Sequence, residues 1–186
     1  MITLIRPSSK CLSMEDVYRP AEDSYLLAKH VESLVSGNIL DMGTGSGIQA
    51  VTAALKPEVK SVLAVDINPE ALGEAEKRAY DAGVSGKISF LLSNLFDEVN
   101  GRYDWIIFNS PYLPSEGEAD EYVWAGGAEL IERFLGGAQD HLEPGGSILL
   151  IYSDISEPDT SGYKFDLLEE MGLFFEKLYC VKLSPT

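Results

Sequence analysis

Asp41-Met42-Gly43-Thr44-Gly45-Ser46-Gly47 decides the architecture of this chain. An apolar run, Asn38-Ile39-Leu40-Asp41-Met42, leads into it, and a helical pattern from Ile48 to Leu55 leads away and stops before Pro57. A strand that passes through a glycine turn into a helix opens a βαβ unit. The rest of the unit follows, with Ser61 to Asp66 as a strand and Pro69 to Ala82 as a helix with proline in its first turn. Glycines let the backbone turn sharply and approach a ligand with no Cβ in the way.

The alternation continues on both sides of this unit. Upstream, Tyr25, Leu26, Leu27, Val31, Leu34 and Val35 recur at helical spacing, so Glu22 to Val35 is predicted as a helix ending near Gly37. Downstream come a third strand, Lys87 to Leu92, a single turn at Leu95-Phe96-Asp97 and a fourth strand, Tyr103 to Phe108. After a long loop, Ala128 to His141 is helical and Ser147 to Tyr152 forms a fifth strand. Phe165 to Met171 reads as a short helix, and Leu173 to Leu183 supplies the last strand or strands. This order predicts an α/β domain spanning 1–186, with a mostly parallel sheet covered by helices on both faces.

Composition fits that picture. Hydrophobic residues make up 45% of the 186 and charged residues 24%, enough apolar side chain for a packed core without staples. The formal net charge of -16 repels phosphate backbones over the surface at large, so it disfavours nucleic acid and suits a basic protein partner. Cys11 and Cys180 have no metal-ligand spacing and read as free thiols of a reducing cytosol. His30 and His141 sit in helical patterns away from other ligands, so no metal is expected. Residues 1–10 are too short and polar a stretch for a signal peptide, and no apolar run approaches membrane-spanning length.

The glycine turn carries more information than its glycines. Its spacing is Gly-x-Gly-x-Gly at Gly43, Gly45 and Gly47, and an acid, Asp41, stands before it. A second acid, Asp66, ends the next strand, where a carboxylate can accept both hydroxyls of a ribose. A carboxylate beside the turn is unhelpful to pyrophosphate but suits a cofactor that bears an ammonium and a sulfonium. S-adenosylmethionine has that charge pattern. Its ribose is expected on Asp66, its methionine moiety near Asp41 and Gly43, and its adenine on Asn94 between Ile67 and Leu95.

The fourth strand ends abruptly in Asn109-Ser110-Pro111-Tyr112. An amide, a proline and an aromatic ring make poor core material but can hold a flat, nitrogen-bearing substrate at the carboxyl edge of a sheet. The Asn109 side-chain oxygen and the Ser110 carbonyl can each accept one hydrogen of a substrate amino group, Tyr112 can stack on its plane, and Pro111 holds the turn. This clamp does not distinguish a glutamine amide from the exocyclic amine of adenine or guanine. The loop from Pro111 to Gly127 contains an acidic run, Glu116 to Glu121, which reads as a recognition element for a basic loop or as a solvated face.

These stretches, with Tyr18-Arg19-Pro20-Ala21-Glu22-Asp23-Ser24, Asp66-Ile67-Asn68-Pro69 and Trp124-Ala125-Gly126-Gly127, resemble the class I methyltransferases of the HemK/PrmC type. The resemblance points to the short single-domain archaeal and eukaryotic branch. It implies a Rossmann-like, seven-stranded-type sheet, with S-adenosylmethionine as methyl donor. It implies methylation of the glutamine amide in the Gly-Gly-Gln loop of a class 1 translation release factor, and a heterodimer with a small zinc-binding activator subunit. It also implies that Ser24 touches the cofactor carboxylate, that Asn109 contacts the cofactor as well as the acceptor, and that an edge strand at Lys87 to Leu92 receives the activator; Trp124 reads as a lid or a loop anchor. Three departures stand out: Ser110 replaces a usual proline, Asn94 a common aspartate, and the C-terminus is short for the usual closing pair of strands. The alternatives are a nucleic-acid amine methyltransferase acting on a flipped base, a lysine methyltransferase, and a non-catalytic cofactor-binding subunit.

Overall fold

A computed structural model describes residues 19–111 and 127–186. The described chain forms a seven-stranded sheet in the order β3-β2-β1-β4-β5-β7-β6. The strands are β1 (Gly37–Met42), β2 (Val59–Asp66), β3 (Ile88–Leu92), β4 (Tyr103–Asn109), β5 (Leu142–Ser153), β6 (Tyr163–Gly172) and β7 (Lys177–Pro185). The helices are α1 (Glu22–Leu34), α2 (Ile48–Ala54), α3 (Pro69–Asp81) and α4 (Ala128–Ala138). β1 to β5 pair in parallel, while β7 runs antiparallel to both β5 and β6. The mostly parallel α/β architecture expected from the glycine turn is therefore the one observed.

Strict alternation along the central strands divides the core in two. Ile39, Val62, Ile107, Leu149 and Ile151 face α1 and α2, joined by Leu26, Leu27, Val31 and Ala50. Leu40, Met42, Ile106, Phe108, Ile148 and Leu150 face the other way, onto Leu130, Ile131 and Phe134 of α4. A strand buried on both faces is apolar at most positions, which explains the apolar runs in β1, β4 and β5, and its buried polar members such as Asp41 are hydrogen-bonded. The sheet ladder satisfies their backbone groups, so burial of these side chains drives the fold.

The C-terminal third corrects two expectations. Phe165–Met171 is part of strand β6, not a helix, and β6 and β7 together form a full closing antiparallel pair. The register of that pair shifts between Leu167 and Glu169, which marks a bulge. The extra residue sets Phe165, Leu168 and Met171 three apart, a spacing that imitates a helix.

Gly47 shows how tightly the turn is built. Its φ of +78° belongs to the left-handed region, and a Cβ there would sit 2.7 Å from the Ala75 Cβ and 2.8 Å from its Cα. A Cβ on Gly45 would meet nothing closer than the Gly43 carbonyl at 3.9 Å, although its φ of +52° carries the same backbone penalty. Gly45→Ala is thus expected to destabilise by about 1 kcal/mol from backbone strain. Gly47→Ala adds overpacking against α3 and should lose roughly 2–4 kcal/mol in urea unfolding.

Candidate active site

Parallel register brings the signature residues to one edge. Met42 lies opposite Phe108 and Asp66 opposite Leu92, so the glycine turn, Asp66, Asn94 and Asn109 all emerge at the carboxyl ends of β1 to β4. Strand order reverses between β1 and β4, and the crevice at such a reversal is where open α/β sheets take their ligands.

Asp41 braces the turn from inside. It is 1% exposed, and its Oδ2 accepts the Thr44 hydroxyl at 2.6 Å and the Ala50 N–H at 2.9 Å. Burial pushes its carboxyl up to about 7; the hydrogen bonds from Thr44 and Ala50 pull the other way, and the charge of Asp66 adds a smaller upward push. Asp66 accepts the Gly45 N–H on Oδ2 at 2.8 Å and the Asn68 N–H on Oδ1 at 2.9 Å. Burial also raises the Asp66 carboxyl, opposed by the backbone N–H groups of Asn68, Gly45 and Ile67. The acid therefore ties the turn to the start of α3 and keeps further lone pairs for a ligand. Gly47 serves the contact with α3 just described.

Beyond β3, Ser93 folds the chain over: its hydroxyl donates to the Leu95 carbonyl and accepts the Glu98 N–H. Leu95 takes a φ of +49°, a left-handed conformation uncommon for leucine. The adjoining Asn94 Oδ1 is buried with no hydrogen-bond partner, and Ile67 leaves 37% of its surface exposed.

Asn109 is oriented by residues far away in sequence. Its Nδ2 donates to Asp23 Oδ2 at 2.7 Å and approaches Ser24 Oγ at 3.4 Å. An ionised carboxylate only accepts, so the amide must turn its NH2 toward Asp23 and its oxygen away. That oxygen, Asn109 Oδ1, is buried and unpartnered. Gln49 ties α2 to the same cluster through Nε2, which donates to the Ser24 carbonyl at 2.9 Å, and leaves its own Oε1 unpartnered.

Asp23, noted from sequence only within the stretch Tyr18 to Ser24, and Gln49, not singled out there, thus belong to the site's support. Only the spacing in three dimensions reveals them. The Ser24 hydroxyl is turned toward Asp23 and Asn109. Ser110 donates its hydroxyl to the Ile151 carbonyl at 2.7 Å and is buried. That bond fastens the turn to β5 and replaces by a hydrogen bond the restraint a proline would give. The Pro111 carbonyl accepts the Gly127 N–H at 3.1 Å. Cys11, Tyr18, Tyr112, Trp124, Ala125, Gly126 and the acidic run 116–121 lie outside the described residues. No cluster of metal-ligating side chains occurs among the described residues.

Two buried acceptors without donors, Asn94 Oδ1 and Asn109 Oδ1, line an edge that also presents an exposed isoleucine, an open glycine and an acid. That donor-hungry edge fits S-adenosylmethionine, which brings hydroxyl and amino hydrogens and a flat ring. Fold and site together define an S-adenosylmethionine-dependent methyltransferase of the class I architecture. Residues 19–171 match the methyltransferase small domain family, and the chain belongs to that family. A Methanocaldococcus jannaschii protein provisionally named a protein N5-glutamine methyltransferase is 34% identical over 181 residues, covering 89% of this chain and 90% of its own. A protein of Chlorobaculum tepidum named release factor glutamine methyltransferase is 37% identical over 114 residues, which is 59% of this chain but only 37% of that one. The structure of Methanocaldococcus jannaschii Trm5 in complex with adenosine superposes with a TM-score of 0.65 at 20% identity, covering 91% of this chain and 50% of that chain.

The raised Asp41 carboxyl has a testable pH signature. Its folded value, about 7, lies above the ordinary 3.8, so the native protein binds the extra proton and its stability falls as pH rises through that window. Asp41→Asn keeps an acceptor for Thr44 and Ala50 without titrating. In the absence of ligand, its thermal midpoint should match the parent below pH 4 and exceed it increasingly up to about pH 7, as followed by circular dichroism.

Proposed function

We propose that this methyltransferase modifies the side-chain amide nitrogen of a glutamine in a protein, the Gly-Gly-Gln loop of a class 1 translation release factor. The observation that carries the reading is the buried, unpartnered Asn109 Oδ1, turned away from Asp23 by the bond from Nδ2 to that carboxylate. The names of the relatives from Methanocaldococcus and Chlorobaculum support glutamine as acceptor, and the net charge of -16 favours a protein over a nucleic acid.

S-adenosylmethionine supplies a methyl group activated by a positively charged sulfur. Glu22-Asp23-Ser24 and Asn109-Ser110-Pro111-Tyr112 supply position. An amide nitrogen is a poor nucleophile because its lone pair is delocalised into the carbonyl. In this reading Asn109 Oδ1 would accept one amide hydrogen and the Ser110 carbonyl the other, which would fix the position of the nitrogen toward the methyl donor. Pro111 and Tyr112 shape and cover the acceptor side. The bound donor would supply the methyl group to this nitrogen and keep the sulfur electron pair, and the nitrogen would release one proton to water. Asp66 would hold the ribose, Asn94 with Ile67 and Leu95 the adenine, and Asp41, Gly43, Gly45 and Gly47 would shape the pocket for the methionine moiety. The reaction takes place in the cytosol, among the translation factors it serves.

The proposal includes a small zinc-binding activator that adds a strand to β3. That strand pairs with β2 and forms one end of the sheet, with Leu92 52% exposed. Co-expression with such a subunit should raise the yield of soluble, active enzyme; unchanged yield and activity would remove it from the scheme.

Methyl-labelled S-adenosylmethionine offered with release factor, its loop Gln→Ala variant and unmodified RNA tests the reaction. Label should enter only the wild-type factor; label in RNA alone would overturn the reading. Asn109→Ala should lower kcat about a hundredfold. Asp23→Ala should lower it on the order of tenfold, the worth of one charge-assisted hydrogen bond.

A further inference from the structure

The turn between β6 and β7 carries the two most exposed large apolar side chains among the described residues. Phe174 is 93% exposed and Phe175 91%, and their rings meet edge to face with centroids 4.8 Å apart. Neither ring belongs to the core clusters. The turn itself is well fastened: the Leu173 N–H donates to the Glu176 carbonyl at 2.7 Å, the Lys177 N–H to Asp154 Oδ1 at 3.1 Å, and Lys177 Nζ bonds Glu170 at 2.9 Å. Adjacent aromatic rings displayed on a braced turn leave apolar area in water that no internal contact recovers.

Register fixes where this tip stands. Leu178 pairs with Ser153, and Ile151, two residues earlier on β5, pairs with Asn109. The tip therefore projects from the same carboxyl edge as Asn109, two strands across and a few residues further along. With strands about 4.8 Å apart and about 3.3 Å per residue, it stands on the order of 15 Å from Asn109. A peptide small enough to fill the clamp would not reach it, but the body of a folded substrate would.

Charge selects the occupant. Asp154, Glu170 and Glu176 stand at the tip, and Lys177 beside them is already paired with Glu170. Exposed aromatics can stack on bases, but this acidic rim repels a phosphate backbone. We propose that Phe174 and Phe175 are a second anchor for the protein substrate, seated in an apolar depression flanked by lysine or arginine on the body of the protein whose glutamine lies at Asn109. This rests on the reading of the reaction given above and adds a specificity-determining surface to it.

The double variant Phe174→Ser/Phe175→Ser tests it, with two acceptors: intact release factor and a short peptide carrying its Gly-Gly-Gln segment. Both rings lie outside the core, so the thermal midpoint should not fall. KM for the intact protein should rise about tenfold or more, as expected for two aromatic anchors, with kcat retained. The peptide reaction should be unchanged. Equal rates of parent and variant on the intact protein would overturn the anchor, as would equal losses on both acceptors. A parent that sediments as a dimer and a variant that sediments as a monomer would assign the rings to self-association and overturn it too. The reaction itself is read from the parent enzyme alone: label entering RNA and not protein would remove the premise, a result distinct from an unchanged ratio between variant and parent.

Discussion

Parallel pairing of β1 with β4 places two unlike turns side by side, because Met42 and Phe108 are neighbours in the ladder. One turn is glycine-rich and braced from within by Asp41; the other is fastened by Ser110 to the Ile151 carbonyl. Without that register the glycine turn and the Asn109 turn would not share a crevice. Burial on both faces of β1 and β4 enforces it, since a slip of one residue would turn each apolar set to the wrong layer. The position of the chemistry is thus set by packing that takes no part in it.

Much of the scaffold was legible because its signals are local. The glycine turn, the proline at the start of α3 and the apolar runs of β1, β4 and β5 each lie within a few residues of the structure they specify. β6 was misread as a helix because its bulge breaks strict alternation and its edge position leaves Phe165 and Leu167 exposed, so neither period is clean. Within the site, Asn109 could be picked out by its odd place at a strand end, and Asn94 by its place after β3. The partner that orients Asn109 could not, because Asp23 lies 86 residues away and joins it only when α1 packs across the sheet. Long-range polar pairs leave no periodicity to read.

Ser110 shows one restraint replaced by another of different character. A proline limits the backbone everywhere, in the folded and unfolded chain alike. The Ser110 hydroxyl restrains only the folded form, through a bond to a carbonyl of the neighbouring strand. The turn is held in place either way, but here its rigidity depends on β5 being docked. Asp41 works similarly, as its bonds to Thr44 and Ala50 exist only when the turn and α2 are formed together.

The hydrogen bond between the Pro111 carbonyl and the Gly127 N–H makes a neck through which the chain leaves and rejoins the fold. The bond ties the end of β4 to the start of α4 directly, so the two elements flanking the crevice hold their separation as one frame. Because it is made by main-chain atoms alone, that frame does not depend on the side chains at its two ends.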